Sequence, residues 1–533
     1  MLPTPPRFFA IISGTLSLAV LLAAHLPLHA QQPVPSQVPT IQVTSLLVFL
    51  DVTVLDRDNQ PVTKGLSRDD FSITEGSKPQ RIFSFESPQE HRDSGKNPGG
   101  SAPSTIFVLD LLNSQLSDFS YILYSMKKYL DAQPSTLDSP SELMVLGNNS
   151  LELVQAYTRS KADLVSALRH IPGAIPYKHD NPSFLSERFV QSLDALQQVA
   201  LQSKGVPGRK NIVWVGHGGP SINTIALDSQ TTQRLDAYVH DTTNLLVDSR
   251  ISLFVIYPGL EVGGIVGQPI SGVSADADIG ETDPFAGDIN FGVFVNETGG
   301  KLFYNRNDVN VLIKRSQQLG ANYYTLTYQP HDVLPDGKFR RIRVSLRDPA
   351  LHALTKAGYF APSTDQPIDT LQQTMVDISE AAHSTIPYNS LQLTISDIVR
   401  HPDTDTAQFI ATLTGEAIRW QPAEGQQSTA GFILATASRD KQQDVLSSRI
   451  EGLSITAHTQ DPIHLVKSVS RIPLTVRIPH KTDTVRVIVQ AREGGLIGTA
   501  DIDRKALDAA PTAPTPEPTL QTRPAPTPAN TTQ

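Results

Sequence analysis

Between residues 104 and 320 the apolar positions switch repeatedly between two spacings. Ile106–Leu109 is a continuous apolar run ending on Asp110, and Phe119, Ile122, Leu123, Met126 and Leu130 then recur at intervals of three and four. The first pattern predicts a buried strand and the second a helix with one apolar face. The alternation continues. A helix over Phe184–Gln202 carries Phe189, Leu193, Leu196 and Val199; a strand over Asn211–Val215 precedes a helix over Thr231–Asp248; a strand over Ile251–Tyr257 precedes a helix over Ile289–Thr298; a short strand over Lys301–Tyr304 precedes a helix over Val309–Leu319. Runs at 142–146 and 151–156 flank Gly147-Asn148-Asn149-Ser150, a hairpin turn, and Ser160–Asp163 reads as a capping box for a short helix bearing Leu164 and Leu168. Strands joined through helices require a mostly parallel sheet, to which the hairpin adds one antiparallel edge. The expected class is α/β, a Rossmann-like domain over 104–320.

The flanks lack this alternation. Residues 41–87 hold short strand-like runs divided by turns at Asp58–Pro61 and Gly76, and 322–361 hold three more at 322–328, 339–346 and 357–360. These two segments are expected to pair into one small β unit. Glu90–Pro103 reads as a loop, and the Arg340, Arg341, Arg343 and Arg347 side chains as a solvated face. After a helix over Leu371–Ala382, β-type runs recur at Leu391–Ile398, Phe409–Leu413, Gly431–Ala437, His464–Val469, Leu474–Ile478 and Val485–Ala491. That spacing predicts a C-terminal β-sandwich over 385–505. Gln31–Thr40 is a Pro/Gln linker, and the Pro/Thr-rich tail 509–533 is expected to be disordered.

Composition changes the picture in two ways. Lys and Arg number 44 against 53 Asp and Glu, a formal charge of −9, so no basic footprint for nucleic acid exists. There is no cysteine, which removes disulfides, thiol catalysis and Cys-ligated metals together. Arg7 precedes an apolar stretch from Phe8 to Leu28, and Ala30 offers a small residue before a cut. Residues 1–30 therefore read as a signal peptide, with an uncleaved anchor as the alternative. No later stretch is apolar enough to span a membrane. The expected location is secreted, or periplasmic and cell envelope.

Candidate chemistry begins with Asp110, a carboxylate at the carboxyl end of a strand, where open α/β sheets place their sites. Three pieces of sequence carry a family likeness: Asp58-Asn-Gln-Pro-Val-Thr-Lys-Gly-Leu-Ser-Arg-Asp-Asp-Phe-Ser-Ile-Thr-Glu-Gly76; the strand and turn around Asp110; and Tyr323–Pro330 with Asp336–Val344 and Lys356–Pro362. Together they resemble the secreted bacterial VWFA-related family, over about residues 41–362. The resemblance implies a von Willebrand factor A-type domain with a metal-dependent adhesion site, built on an Asp-x-Ser-x-Ser turn that suits Mg²⁺. In Asp110-Leu111-Leu112-Asn113-Ser114, Asp110 and Ser114 match while Leu112 stands where a hydroxyl is needed. The family's Thr is missing from the loop Ile171–Ser183, and Gly216-His217-Gly218 falls where a further Asp belongs. Asp110 and Ser114 remain the candidate ligand-binding residues. No cofactor is expected, Mg²⁺ included.

Other motifs are thinner. His217-Gly218-Gly219 resembles an esterase oxyanion loop, but the chain has no G-x-S-x-G nucleophile elbow. Asp276, Asp278, Glu281, Asp283 and Asp288 begin like a calcium loop, then place Gly280 and Gly287 where ligands are required. The expectation is an exported, non-enzymatic protein-binding module of adhesion type with a degenerate metal site. The alternatives are a hydrolase using His217 and a structural envelope protein.

Overall fold

The computed structural model describes residues 47–512, apart from 95–101, 115, 149, 172–182, 225–226, 259–282, 286–287, 332–333, 335 and 362–369. The signal peptide, the Pro/Gln linker, most of the acidic loop, most of Ile171–Ser183 and tail residues 513–533 lie outside the described residues.

Four short strands come first: β1 (Val48–Leu55), β2 (Phe71–Glu75), β3 (Lys78–Gln80) and β4 (Ile82–Glu86). Where a loop was expected from Glu90, helix α1 (Pro88–Ser94) follows. The missed signal is His91, 1% exposed and stacked on the Tyr323 ring at 4.3 Å. A lone buried histidine makes no periodic pattern.

The alternating region then runs β5 (Ser104–Asp110), α2 (Leu116–Asp131), β6 (Thr136–Leu146), β7 (Leu151–Ser160), α3 (Lys161–Leu168), α4 (Ser183–Ser203), β8 (Lys210–Val215), β9 (Ile222–Asn223), α5 (Ser229–Asp248), β10 (Ile251–Pro258), β11 (Asp288–Ile289), α6 (Phe291–Glu297), β12 (Lys301–Arg306) and α7 (Val309–Ala321). Its six-stranded sheet has the order β12-β10-β8-β5-β6-β7. All neighbours are parallel except β7, which runs antiparallel to β6. Val108, Ile212, Trp214 and Val255 face one core with α4 and α6, and Phe107, Leu109, Val213 and Ile256 face another with α2 and α7. Both faces of the sheet are thus covered, which is why its strands read as continuous apolar runs. Counted in chain order from the antiparallel edge, the six strands run third, second, first, fourth, fifth, sixth. This is the doubly-wound order, and its switch point falls between β5 and β8.

Next come β13 (Tyr324–Tyr328), β14 (Phe339–Leu346), β15 (His352–Leu354) and β16 (Gly358–Phe360). They combine with the first strands into two four-stranded sheets, β15-β1-β13-β4 and β16-β14-β2-β3. Residues more than 250 apart in sequence meet here, as in Thr325 paired with Asp51. The arginine strand departs from a solvated face: Arg340 and Arg341 are half-buried, and Arg340 bonds Asp336 at 2.6 Å.

Helix α8 (Thr370–His383) leads into β17 (Leu393–His401), β18 (Thr406–Thr414), β19 (Gln421–Ala423), β20 (Gln427–Arg439), β21 (Val445–Ala457), α9 (Pro462–Val466), β22 (Val469–Arg477), β23 (Thr484–Ala491), β24 (Ile497–Asp503) and α10 (Arg504–Ala509). The run His464–Val469 is therefore largely helix, not strand. Asp461 caps it by accepting from the Ile463 N–H, and Pro462 occupies its first turn. Two antiparallel sheets result, β17-β18-β22 and a second built from β19, β20, β21, β23 and β24. They share a core of Phe409, Phe432, Leu474 and Val487. The second sheet turns Ile433, Ala435, Ile488 and Ile497 towards α8, where they join the core behind β5 and β8. Lys204, just past the end of α4, bonds Asp377 of α8, which also accepts from Gln490 at 2.8 Å. Lys204 precedes β8, so this contact lies at the amino end of the parallel sheet; Thr385, beyond α8, also donates to the Leu151 carbonyl at 2.6 Å.

Candidate functional site

Asp110 closes β5 beside the switch point and is wholly buried. One of its oxygens, Oδ1, accepts from the Asn113 backbone N–H at 3.0 Å and from Asn113 Nδ2 at 3.2 Å. The other, Oδ2, accepts from Trp214 Nε1 at 2.9 Å, the Gly218 N–H at 2.9 Å and Asn113 Nδ2 at 3.1 Å. A cation needs oxygen lone pairs turned towards it. Here both oxygens are turned towards N–H groups, so the donor set suits a buried carboxylate and does not fit Mg²⁺.

Each donor is placed by a separate element. Trp214 is the penultimate residue of β8, and its indole packs on Phe291 of α6 with ring centroids 4.9 Å apart. Asn113 is fixed from α4, donating to Ser192 Oγ at 3.0 Å. Gly218 follows a sharp exit from β8 in which Gly216 has φ +145°. A Cβ at Gly216 would lie 2.5 Å from the Asp110 Cβ and 3.1 Å from Ser114 Oγ. Glycine is therefore required there for both its backbone angle and its missing side chain.

Ser114 reaches the same edge but makes no hydrogen bond to the carboxylate. It is 3% exposed, and its hydroxyl has no hydrogen-bond partner among the described residues. Leu112 is fully buried in the core. Asp110 and Ser114 are thus brought together behind the surface. What the edge presents outward is His217, whose side chain is 25% exposed. Its Nε2 lies 3.2 Å from Asp118 Oδ2, and its ring lies 4.0 Å from that of Tyr257. Burial, reinforced by the Asp118 and Asp110 charges, pushes the Tyr257 hydroxyl upward. Asp283, the first described residue of the acidic loop, accepts from His240 Nε2 at 2.6 Å. Among the described residues no group of three or more His, Asp or Glu side chains could hold a metal.

Sequence reasoning missed Trp214, Asn113 and Asp118. Trp214 sits in an apolar run and reads as core; its indole N–H is the one feature that could have prompted a search for a buried acceptor.

No protein-family model and no curated protein matches the chain. Among solved structures, the crystal structure of the SpRpn10 VWA domain is similar at 16% identity, covering 30% of this chain and 89% of that one, with a TM-score of 0.16. The manganese-loaded Plasmodium vivax TRAP protein is similar at 8% identity, covering 69% of this chain and 97% of that one, with a TM-score of 0.24. At these scores the likeness adds nothing to the strand order described above.

Proposed function

We propose that the chain is an exported, non-enzymatic binding protein of von Willebrand factor A type, in which a degenerate metal-dependent adhesion site has become a metal-free docking edge. The reading is supported by the doubly-wound strand order, by Asp110 at its switch point, and by the family-like segments on either side. One observation carries it: the two Asp110 oxygens accept from four N–H donors of the chain itself. A partner protein then meets the loops after Asp110 and Val215, with His217, Asp118 and Tyr257 as contact groups. The C-terminal sheets, a β-sandwich in this reading, pack on α8.

The hydrolase alternative using His217 is disfavoured by a single bond. The Gly218 N–H, the donor an oxyanion loop would supply, is directed at Asp110. Export rests on the N-terminal sequence. Among the described residues no helix is long and apolar enough to cross a membrane.

Two measurements test the proposal. Calorimetric titration with Mg²⁺ and Mn²⁺ is expected to show no sub-millimolar binding; such binding, abolished by Asp110→Ala, would overturn it. Partner capture from an envelope fraction, with the full chain as bait, is expected to survive EDTA and to weaken with His217→Ala. Capture that requires a divalent cation would also sink the metal-free reading.

A further inference from the structure

We infer that β21 is a self-association edge, on which a second copy of this chain adds its own β21 antiparallel about a two-fold axis at Ile450. The unpaired edge of a strand is a template for another chain, and proteins blunt such edges with proline, breaks, shortness or cover. Among the described residues the other sheet edges carry one of these devices. Pro79 lies in β3 and Pro473 in β22. Strands β15 and β16 have three residues each. Register shifts interrupt β4, β7, β12 and β17. Strand β24 is bridged by Asn389.

Strand β21 has a single register shift, between Val445 and Ser447 at its start, and beyond that point none of these devices. It is 13 residues long, lacks proline and pairs only with β20. Its register is unbroken from Ser447 opposite Ser438 to Ala457 opposite Ser428. Its two charges are opposite in sign and lie two residues apart. Arg449 and Glu451 share one face, bond each other at 2.6 Å, and have side chains 66% and 38% exposed. This edge therefore carries no net charge to repel a copy of itself.

The sequence of β21 is also self-complementary in one register. With Ile450 opposite its own copy, Arg449 of each chain faces Glu451 of the other, Ser447 faces Leu453 and Ser448 faces Gly452. Directly opposed residues share a face, so the core faces of the two copies run on as one surface. A slip of one residue sets the core face of one copy beside the outer face of the other. A slip of two residues opposes Glu451 to Glu451, or Arg449 to Arg449. A slip of four residues escapes both faults but gives up both Arg449–Glu451 pairs, so the register centred on Ile450 is the one that keeps matched faces and opposite charges together, and it also covers the exposed Ile450 side chains.

Sedimentation equilibrium of the full chain tests the inference. The wild type is expected to form a concentration-dependent dimer. Glu451→Arg leaves an edge of two cations and Arg449→Glu an edge of two anions. Each alone reverses both symmetry-related pairs and should weaken the dimer about tenfold to a hundredfold. An equimolar mixture of these two variants should re-form a dimer containing one of each, and the double swap R449E/E451R should restore self-association. The double swap keeps the test decisive if a single variant loses its melting transition. A wild type that stays monomeric up to its solubility limit would overturn the inference, as would a dimer indifferent to Glu451→Arg.

Discussion

Replacing Asp110 by Asn separates a donor-caged carboxylate from an unfilled cation site by the sign of its effect. The substitution keeps the shape of the side chain but turns one oxygen into an NH₂ group. If that is Oδ1, the new group meets the Asn113 N–H and Nδ2; if Oδ2, it meets Trp214 Nε1, the Gly218 N–H and Asn113 Nδ2. In the first case the Asn113 N–H loses its acceptor, while Nδ2 keeps Oδ2 and Ser192 Oγ; in the second the Trp214 and Gly218 N–H groups both lose theirs. A buried polar group left unsatisfied costs about 1–3 kcal/mol, and since the amide can settle in the orientation that strands one donor, the loss should be about 1–3 kcal/mol. For an α/β unit the size of 104–320 that lowers the melting temperature by about 2–12 °C. The chain has two tryptophans, so urea unfolding followed by Trp214 fluorescence in a Trp420→Phe background reports on this core. An unfilled cation site behaves in the opposite way, because removing its carboxylate relieves an uncompensated buried charge. Asp110→Asn that is neutral or stabilising in EDTA would therefore refute the donor-cage reasoning.

Two further substitutions test groups away from the site. Glu142 is fully buried, and burial pushes its carboxyl up to about 8, while its Oε2 accepts from Gln202 Nε2 at 3.3 Å. The folded state therefore holds a proton that the unfolded chain has lost above about 4.5. The stability this group contributes is present below that pH and disappears as pH rises to about 8, by an amount on the order of a few kcal/mol. Urea titrations stepped across that window should show Glu142→Gln gaining on the wild type, and a difference that stays flat with pH would contradict it. Arg250 bonds Asp51 through two nitrogens and Thr325 Oγ1 at 3.0 Å, joining the α/β region to the flanking sheets. Asp51 is largely buried; burial alone would raise its carboxyl, but the charge and hydrogen bonds of Arg250 outweigh this and hold it below its ordinary value. Arg250→Met should cost about 3–5 kcal/mol by stranding that carboxylate, and adding Asp51→Leu should recover much of the loss. A single variant within 1 kcal/mol of wild type by denaturant unfolding would show the pair to be dispensable.

The alternating half of the chain was legible because its signals are local. A strand covered on both faces must be apolar throughout, and a helix packed on one side must repeat every three or four residues. The run ending at Asp110 and the helix carrying Phe119 to Leu130 are visible on those grounds alone. Strand β21 was not visible. Its Ser447-Ser448-Arg449 and Glu451-Gly452 stretches carry no apolar run, because one of its edges and much of its surface face solvent. His464–Val469 has the composition of a strand, but Asp461 and Pro462 start a helix there first.

The placement of a carboxylate at a strand tip, and a leucine at 112 where the family resemblance calls for a hydroxyl, belong to the sequence by itself. What that carboxylate does instead was decided by tertiary structure. The Trp214 indole and the Gly218 N–H arrive from more than 100 residues away, because parallel pairing sets β8 beside β5. Hydrophobic pattern records which residues are buried, but not which buried donor meets which buried acceptor. That depends on how the strands are ordered in the sheet.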